Sequence, residues 1–228
     1  MLILAVESSA KPVSVAVCDG NGKLLGQYFQ NNGFSHSRTL LALAEALLKN
    51  LDLKPSAIDR IAVASGPGSF TGIRIGVSAA KGLAWGLDIP VCGVSSLEAM
   101  AHQISEPGVI ICPVMDARRE QVYNALFEWR DGSLHRLCDD RAVSVEDLAA
   151  KLHGFDLPCL LIGDGVDVCK RSDAFSSCDY KVAQELLRYQ TAYGVALASL
   201  NVEPVSSIEL EPFYLRPSQA ERERAGKK

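Results

Sequence analysis

Residue types able to do chemistry concentrate in a few stretches of the 228-residue chain. Gly66-Pro67-Gly68-Ser69-Phe70-Thr71-Gly72 follows an apolar run and opens a helix-like one. Such a loop can cradle phosphate on backbone N–H groups at a helix N-terminus, where the dipole also favours anions. It fits neither standard template. Gly66, Gly68 and Gly72 are spaced G-x-G-x-x-x-G, one residue too long for the dinucleotide fingerprint, and no Gly-Lys-Ser/Thr follows. A tight strand-to-helix turn accounts for it equally well. His36, His102, His135 and His153 lie far apart, and none forms the His-x-x-x-His pair that puts two imidazoles on one helical face. No intrinsic metal is therefore expected, and His36 reads as structural. Ser8, Ser9, Ser65 and Ser69 have no base nearby in sequence. The seven cysteines are scattered, without a C-x-x-C, and read as small core residues in a reducing compartment.

The elements that must position these residues follow from apolar periodicity. Ile3 to Val6, Val13 to Val17 and Leu24 to Phe29 read as three strands of a meander, the last two joined at Asp19-Gly20-Asn21-Gly22. Ser37 to Leu51 carries Leu40, Leu41, Leu43, Ala44, Leu47, Leu48 and Leu51 at helical spacing. Ile61 to Ala64 is a fourth strand, Ile73 to Leu87 a second helix and Val91 to Val94 a fifth strand, so the first half reads βββαβαβ. The order restarts at Ile110 to Met115, with strands at Gln121 to Trp129 and Leu134 to Cys138. A helix near Val145 to Leu152, a strand at Cys159 to Ile162 running into Gly163-Asp164-Gly165, and a long helix from Val182 to Leu200 complete it. Two similar halves, each opening with a strand that ends in an acid (Glu7, Asp116), predict an α/β fold of duplicated ribonuclease-H-like lobes. The seam falls at Ser105-Glu106-Pro107-Gly108, giving an N-terminal lobe over 1–106 and a C-terminal lobe over 107–228. The tail from Glu221 to Lys228 is charged and aperiodic and is expected to be mobile.

Composition bounds the function. With 48% hydrophobic and 22% charged residues, the chain can bury a sizeable core. A formal charge of -4 lacks the footprint of an autonomous nucleic-acid binder, so any nucleic-acid contact is expected to be shared with partners. The opening residues have no basic n-region, and no apolar run approaches a membrane span, which predicts a cytoplasmic protein without membrane contact. Gly72, Gly76, Ala80 and Ala84 recur at four-residue steps, a smooth stripe along which another backbone can approach. Together with the leucine helix this stripe serves either internal packing or a partner.

At this point the residues carry a resemblance. The run from Gly66 to Gly76 (GPGSFTGIRIG) resembles the signature of the TsaB (YeaZ) family. Leu4 to Ser9, His36-Ser37, Lys81 to Ala84, Ser95 to Glu98, Asp116 to Arg119, Val122-Tyr123 and Tyr214 to Arg216 resemble further family segments in the same order. One departure is Glu7, where many relatives place Asp. The resemblance implies the actin/Hsp70/sugar-kinase (ASKHA) fold and a non-catalytic role in N6-threonylcarbamoyladenosine modification of tRNA. The chain would bind and activate a TsaD-like catalytic subunit together with a TsaE-like ATPase, form a homodimer when the partner is absent, and reach tRNA through the complex. It tips the helix pair towards a partner interface made of Leu40, Leu41, Ala44, Leu47, Leu48, Gly72, Ile73, Gly76, Ala80, Lys81 and Ala84. ATP and a metal ion are expected in the partner subunits, with no intrinsic cofactor. Glu7, Ser8, Ser9, Gly66 and Gly68 would form a vestigial nucleotide loop, because Asp116 is followed by Arg118 and Arg119 rather than by small residues that admit phosphate. Arg118 is expected to pair with an acid. The alternative reading is a small ASKHA-type kinase or ATPase.

Overall fold

The computed structural model describes residues 1–33 and 35–216, so the charged tail from Glu221 lies outside the described residues. The first sheet holds β1 (Leu2–Glu7), β2 (Val13–Asp19), β3 (Leu24–Gln30), β4 (Arg60–Gly66) and β5 (Val91–Ser95) in the order β3-β2-β1-β4-β5. The second holds β6 (Ile110–Asp116), β7 (Gln121–Arg130), β8 (Ser133–Ser144), β9 (Cys159–Ile162) and β10 (Tyr180–Val182) in the order β10-β9-β6-β7-β8. Read from the opposite edge the second order repeats the first. In each lobe an antiparallel meander is extended by parallel strands on the far side of its first strand. The duplication expected from sequence is therefore present.

Burial explains the apolar runs. β1 is central and covered on both faces, so Leu4 and Val6 join the core beneath α1 (His36–Asn50) and α2 (Phe70–Leu87), while Ile3 and Ala5 join that beneath α7 (Ala192–Ser199). The second face is lined by Ala5, Ala16, Ala62 and Ala64, small residues that let α7, itself rich in alanine, sit close. Between the sheets lies α3 (Ser96–Ala101), capped by the Ser95 hydroxyl, which accepts from the Glu98 amide. Its Ala99 packs with the first sheet, and Leu97, Met100 and Ala101 pack with Ile111, Met115 and Phe127 of the second. In the second lobe α4 (Val145–Leu152) covers the outer face through Leu148 and Ala149, and α5 (Val166–Lys170) follows β9.

Two expectations are corrected. The stretch 182–200 is not one helix: β10 ends at Val182, a single turn α6 spans Glu185–Arg188, and α7 starts afresh at Ala192. The break is built by Thr191, whose extended backbone (φ -131, ψ 154) and hydroxyl cap α7 on the Gly194 amide. The second lobe also does not run to the end of the chain. From Ala192 onwards the chain returns to the first sheet, through α7 and then an extended strap, in which Val205 exchanges two backbone hydrogen bonds of 2.9 Å with Val91 and Leu210 is buried in the first-lobe core.

Candidate functional site

The ends of β1, β4, β6 and β9 converge on a cleft of about 980 Å³ between the lobes, lined among others by Ser9, Lys11, His36, Gly68, Asp116 and Asp164. The sequence-predicted loop residues meet here. The Ser69 amide donates to the Ser9 carbonyl at 2.7 Å, and the Ser8 hydroxyl donates to the Gly72 carbonyl at 2.9 Å, so the glycine loop is stitched to the turn after β1. The glycines are required by that approach: a Cβ at Gly68 would lie 2.4 Å from the Ser9 carbonyl oxygen, and one at Gly72 2.1 Å from that of Ser8. The second lobe repeats the stitch, with the Gly165 amide donating to the Val114 carbonyl at 3.0 Å.

Glu7, two residues before the cleft-lining Ser9, is fully buried. Its Oε1 accepts from the Ser9 amide at 2.5 Å, whereas Oε2 has no hydrogen-bond partner. Burial pushes its pKa up to about 7, the Ser9 and Ser8 donors pull it back, and the negative charge of Asp164 adds to the rise. The Ser9 hydroxyl sits beside this carboxyl without a well-formed hydrogen bond of its own. Asp164 is raised too, by burial first, against the opposing hydrogen bond from Gln190 Nε2 at 3.2 Å. Asp116, the second-lobe counterpart of Glu7, is engaged locally: Oδ1 accepts from the Arg118 amide at 2.7 Å, and Oδ2 faces the Arg118 guanidinium at 3.6 Å. Arg118 thus pairs with an acid, as its position suggested. Arg118, Arg119 and Glu120 all have positive φ (66, 54 and 57), a tip that costs on the order of 1 kcal/mol or more per residue.

A metal-bound nucleotide, which folds of this kind imply, does not fit these groups. The Glu7 carboxyl is fully buried, which raises its pKa and disfavours the charged form a metal needs, Asp116 is engaged by Arg118, and Gly68 and Gly72 lie against the Ser9 and Ser8 carbonyls. Among the described residues no three His, Cys, Asp or Glu side chains gather where they could hold a metal ion. His36 lines the cleft at the start of α1, with Nε2 2.7 Å from the Ala10 carbonyl.

The helix pair requires a correction at residue level. The stripe of Gly72, Gly76, Ala80 and Ala84, with Ile73, does not face outwards but is buried. A Cβ at Gly76 would lie 2.5 Å from the Ser8 hydroxyl and 3.4 Å from Val63 of β4, so the stripe lets α2 approach its own sheet and the turn after β1. Leu40, Ala44, Leu47 and Leu48 of α1 likewise fill the first-lobe core. Lys81 is tied internally, its Nζ donating to the carbonyls of Ile208 (3.1 Å) and Leu210 (2.9 Å). Of the expected interface residues only Leu41, 50% exposed, projects freely. Besides Leu41, the exposed positions include Ala42, Glu45, Ala46 and Lys49 on α1, and Arg74, Ser78, Gly82, Trp85 and Gly86 on α2. Trp85 is 78% exposed, and added Cβ atoms at Gly82 and Gly86 would meet nothing within 4 Å. Sequence reasoning missed this second small-residue row, although Ser78, Gly82 and Gly86 also recur at four-residue steps. It missed Trp85 as well, whose signal was a large aromatic set between the glycines of a small-residue row.

Comparison with known proteins agrees with this architecture. The family model described as TsaD: tRNA N6-adenosine threonylcarbamoyltransferase matches residues 32–196. The tRNA threonylcarbamoyladenosine biosynthesis protein TsaB of Bacillus subtilis is 36% identical over 171 residues, covering 75% of this chain and 74% of that protein. The structure of YeaZ from Pseudomonas aeruginosa superposes with a TM-score of 0.79 at 25% identity, covering 94% of this chain and 99% of that one. A likeness of fold alone extends to the ethanolamine utilization protein EutJ from Carboxydothermus hydrogenoformans, with a TM-score of 0.52 at 14% identity over 87% of this chain and 90% of that one. The two lobes have the ASKHA-like fold, and the chain belongs to the TsaB (YeaZ) family, within the wider family that the TsaD model describes.

Proposed function

We propose that this chain is a non-catalytic subunit required for N6-threonylcarbamoyladenosine modification of tRNA, which docks on a TsaD-like catalytic chain and favours its competent state. The observation that carries this reading is the outward face of α1 and α2. A tryptophan left 78% exposed and two α2 glycines with open space above them, Gly82 and Gly86, give a smooth surface on which another helix pair can pack. Each such glycine costs the isolated helix about 1 kcal/mol relative to alanine. Membership of the TsaB family supplies the pathway, since the Bacillus subtilis relative is named for threonylcarbamoyladenosine biosynthesis. In this reading ATP and the metal ion sit in the TsaD-like and TsaE-like partners, tRNA is reached through the complex, and the free chain pairs with itself over the same face. The protein works in the cytoplasm. No helix among the described residues is long and apolar enough to cross a membrane.

The test is a binding titration against the TsaD-family protein of the same organism, coupled to a tRNA modification assay. Gly82→Glu is expected to abolish both while leaving the fold intact, because the position is open. Transfer of the threonylcarbamoyl group by this chain alone would overturn the non-catalytic role. The kinase or ATPase alternative has the volume of the cleft in its favour and the full burial of the Glu7 carboxyl, which disfavours its charged form, against it. ATP turnover that Glu7→Ala abolishes would restore it.

A further inference from the structure

The strap that follows α7 lies along α2 from end to end. Val205 is bonded to Val91 just past the C-terminus of α2, and the carbonyls of Ile208 and Leu210 hang from Lys81 in its middle. The Phe213 amide donates to the Ser65 carbonyl at 2.8 Å. The Tyr214 ring stacks on Phe70 with centroids 4.9 Å apart, and its hydroxyl accepts from Arg74 Nε at 3.0 Å in the first turns of the helix. The outer surface of the first lobe is therefore three ridges side by side, α1, α2 and the strap. The strap turns Leu210 inwards and leaves Ile208 81% and Phe213 46% exposed.

We infer that the strap is the third element of the docking face, with Ile208 as its apolar anchor, and that the occupant is the same homologous partner chain. This inference rests on the docking reading given above. The argument is one of area. An 18-residue helix is about 27 Å long, and two helices about 9 Å apart present a face of roughly 450 Å² in projection. Stable interfaces take about 600 Å² or more from each partner. The strap widens this projected face by roughly half, in continuity with the helix pair. It also adds an exposed isoleucine whose backbone is held by Lys81, one helical turn before the exposed Trp85. Because Lys81 fixes the carbonyls of Ile208 and Leu210, on either side of Glu209, Ile208 is held in place before docking and little ordering cost remains.

The experiment is calorimetric titration of the full chain with the TsaD-family protein, comparing wild type, Gly82→Glu and Ile208→Glu, with thermal melts as the control for folding. Ile208→Glu is expected to melt as wild type does and to weaken Kd roughly tenfold or more, as loss of an interface anchor does. If Gly82→Glu weakens binding and Ile208→Glu stays within about twofold of wild type, the strap lies outside the interface and this inference fails while the helix-pair reading stands. If neither substitution weakens binding, both readings fail.

Discussion

Because Glu7 titrates near pH 7 in the folded chain and at the ordinary 4.5 when unfolded, the folded state keeps a proton that the unfolded state has released between those values. Its contribution to stability is full below about pH 4.5, falls as pH rises to about 7 and is level above that, the loss reaching about 3 kcal/mol. Asp164, raised in the same sense, adds to the slope. Glu7→Gln should remove most of this dependence and stabilise the chain at pH 8. Urea midpoints taken from pH 5 to 8 measure it, and an unchanged slope would place the proton on another group. The position of Glu7 at a strand end was legible in sequence, because an apolar run stops there. Its protonation was not, because the burial that causes it comes from α2 and the opposite lobe, more than sixty residues away in the chain.

Within α2, equal chemistry at two glycines has opposite consequences. Gly72→Ala pushes a methyl into the Ser8 carbonyl and should cost roughly 2–4 kcal/mol, read as a fall in the urea midpoint. Gly82→Ala meets nothing and should stabilise the free chain by up to about 1 kcal/mol. The four-residue recurrence of small residues was readable and announced a close backbone approach. Two such rows share the helix, however, and only the packed structure turns Gly72, Gly76, Ala80 and Ala84 into the first-lobe core and leaves Gly82 and Gly86 outside. The strap was illegible for another reason. Residues 201–216 have no periodicity, and what holds them is a set of pairwise contacts, such as Lys81 with Leu210 and Arg74 with Tyr214, separated by more than a hundred residues. Removing the clamp with Lys81→Met should raise hydrogen exchange at the Val205 and Phe213 amides while the β1 amides stay protected, a contrast that mass spectrometry of peptic fragments resolves.

Across the whole molecule, the lobes are pinned opposite α3 by Arg136 of β8. Its guanidinium meets Glu98 and Asp140 at 2.6 Å each and lies over the Phe127 ring at 4.7 Å. The Ser95 hydroxyl completes the knot by donating to Asp140 at 2.5 Å. The pair with Glu98 is partly exposed, so Arg136→Met should cost about 1–3 kcal/mol in thermal melts rather than the larger loss typical of a fully buried ion pair. The duplication itself was legible because each half repeats the same order of apolar runs and turns. The return of the chain to the first lobe was not, since α7 carries an undirected apolar pattern that names no partner. That return has a consequence for biosynthesis. When β5 has left the ribosome, the alanine-lined face of the first sheet still lacks α7, whose residues are encoded about a hundred codons later. At about 5–20 residues per second the nascent chain carries this apolar surface uncovered for roughly 5–20 s. A chain stopped after Gln190 should therefore be held by chaperones or precipitate, even though both of its sheets have been synthesised.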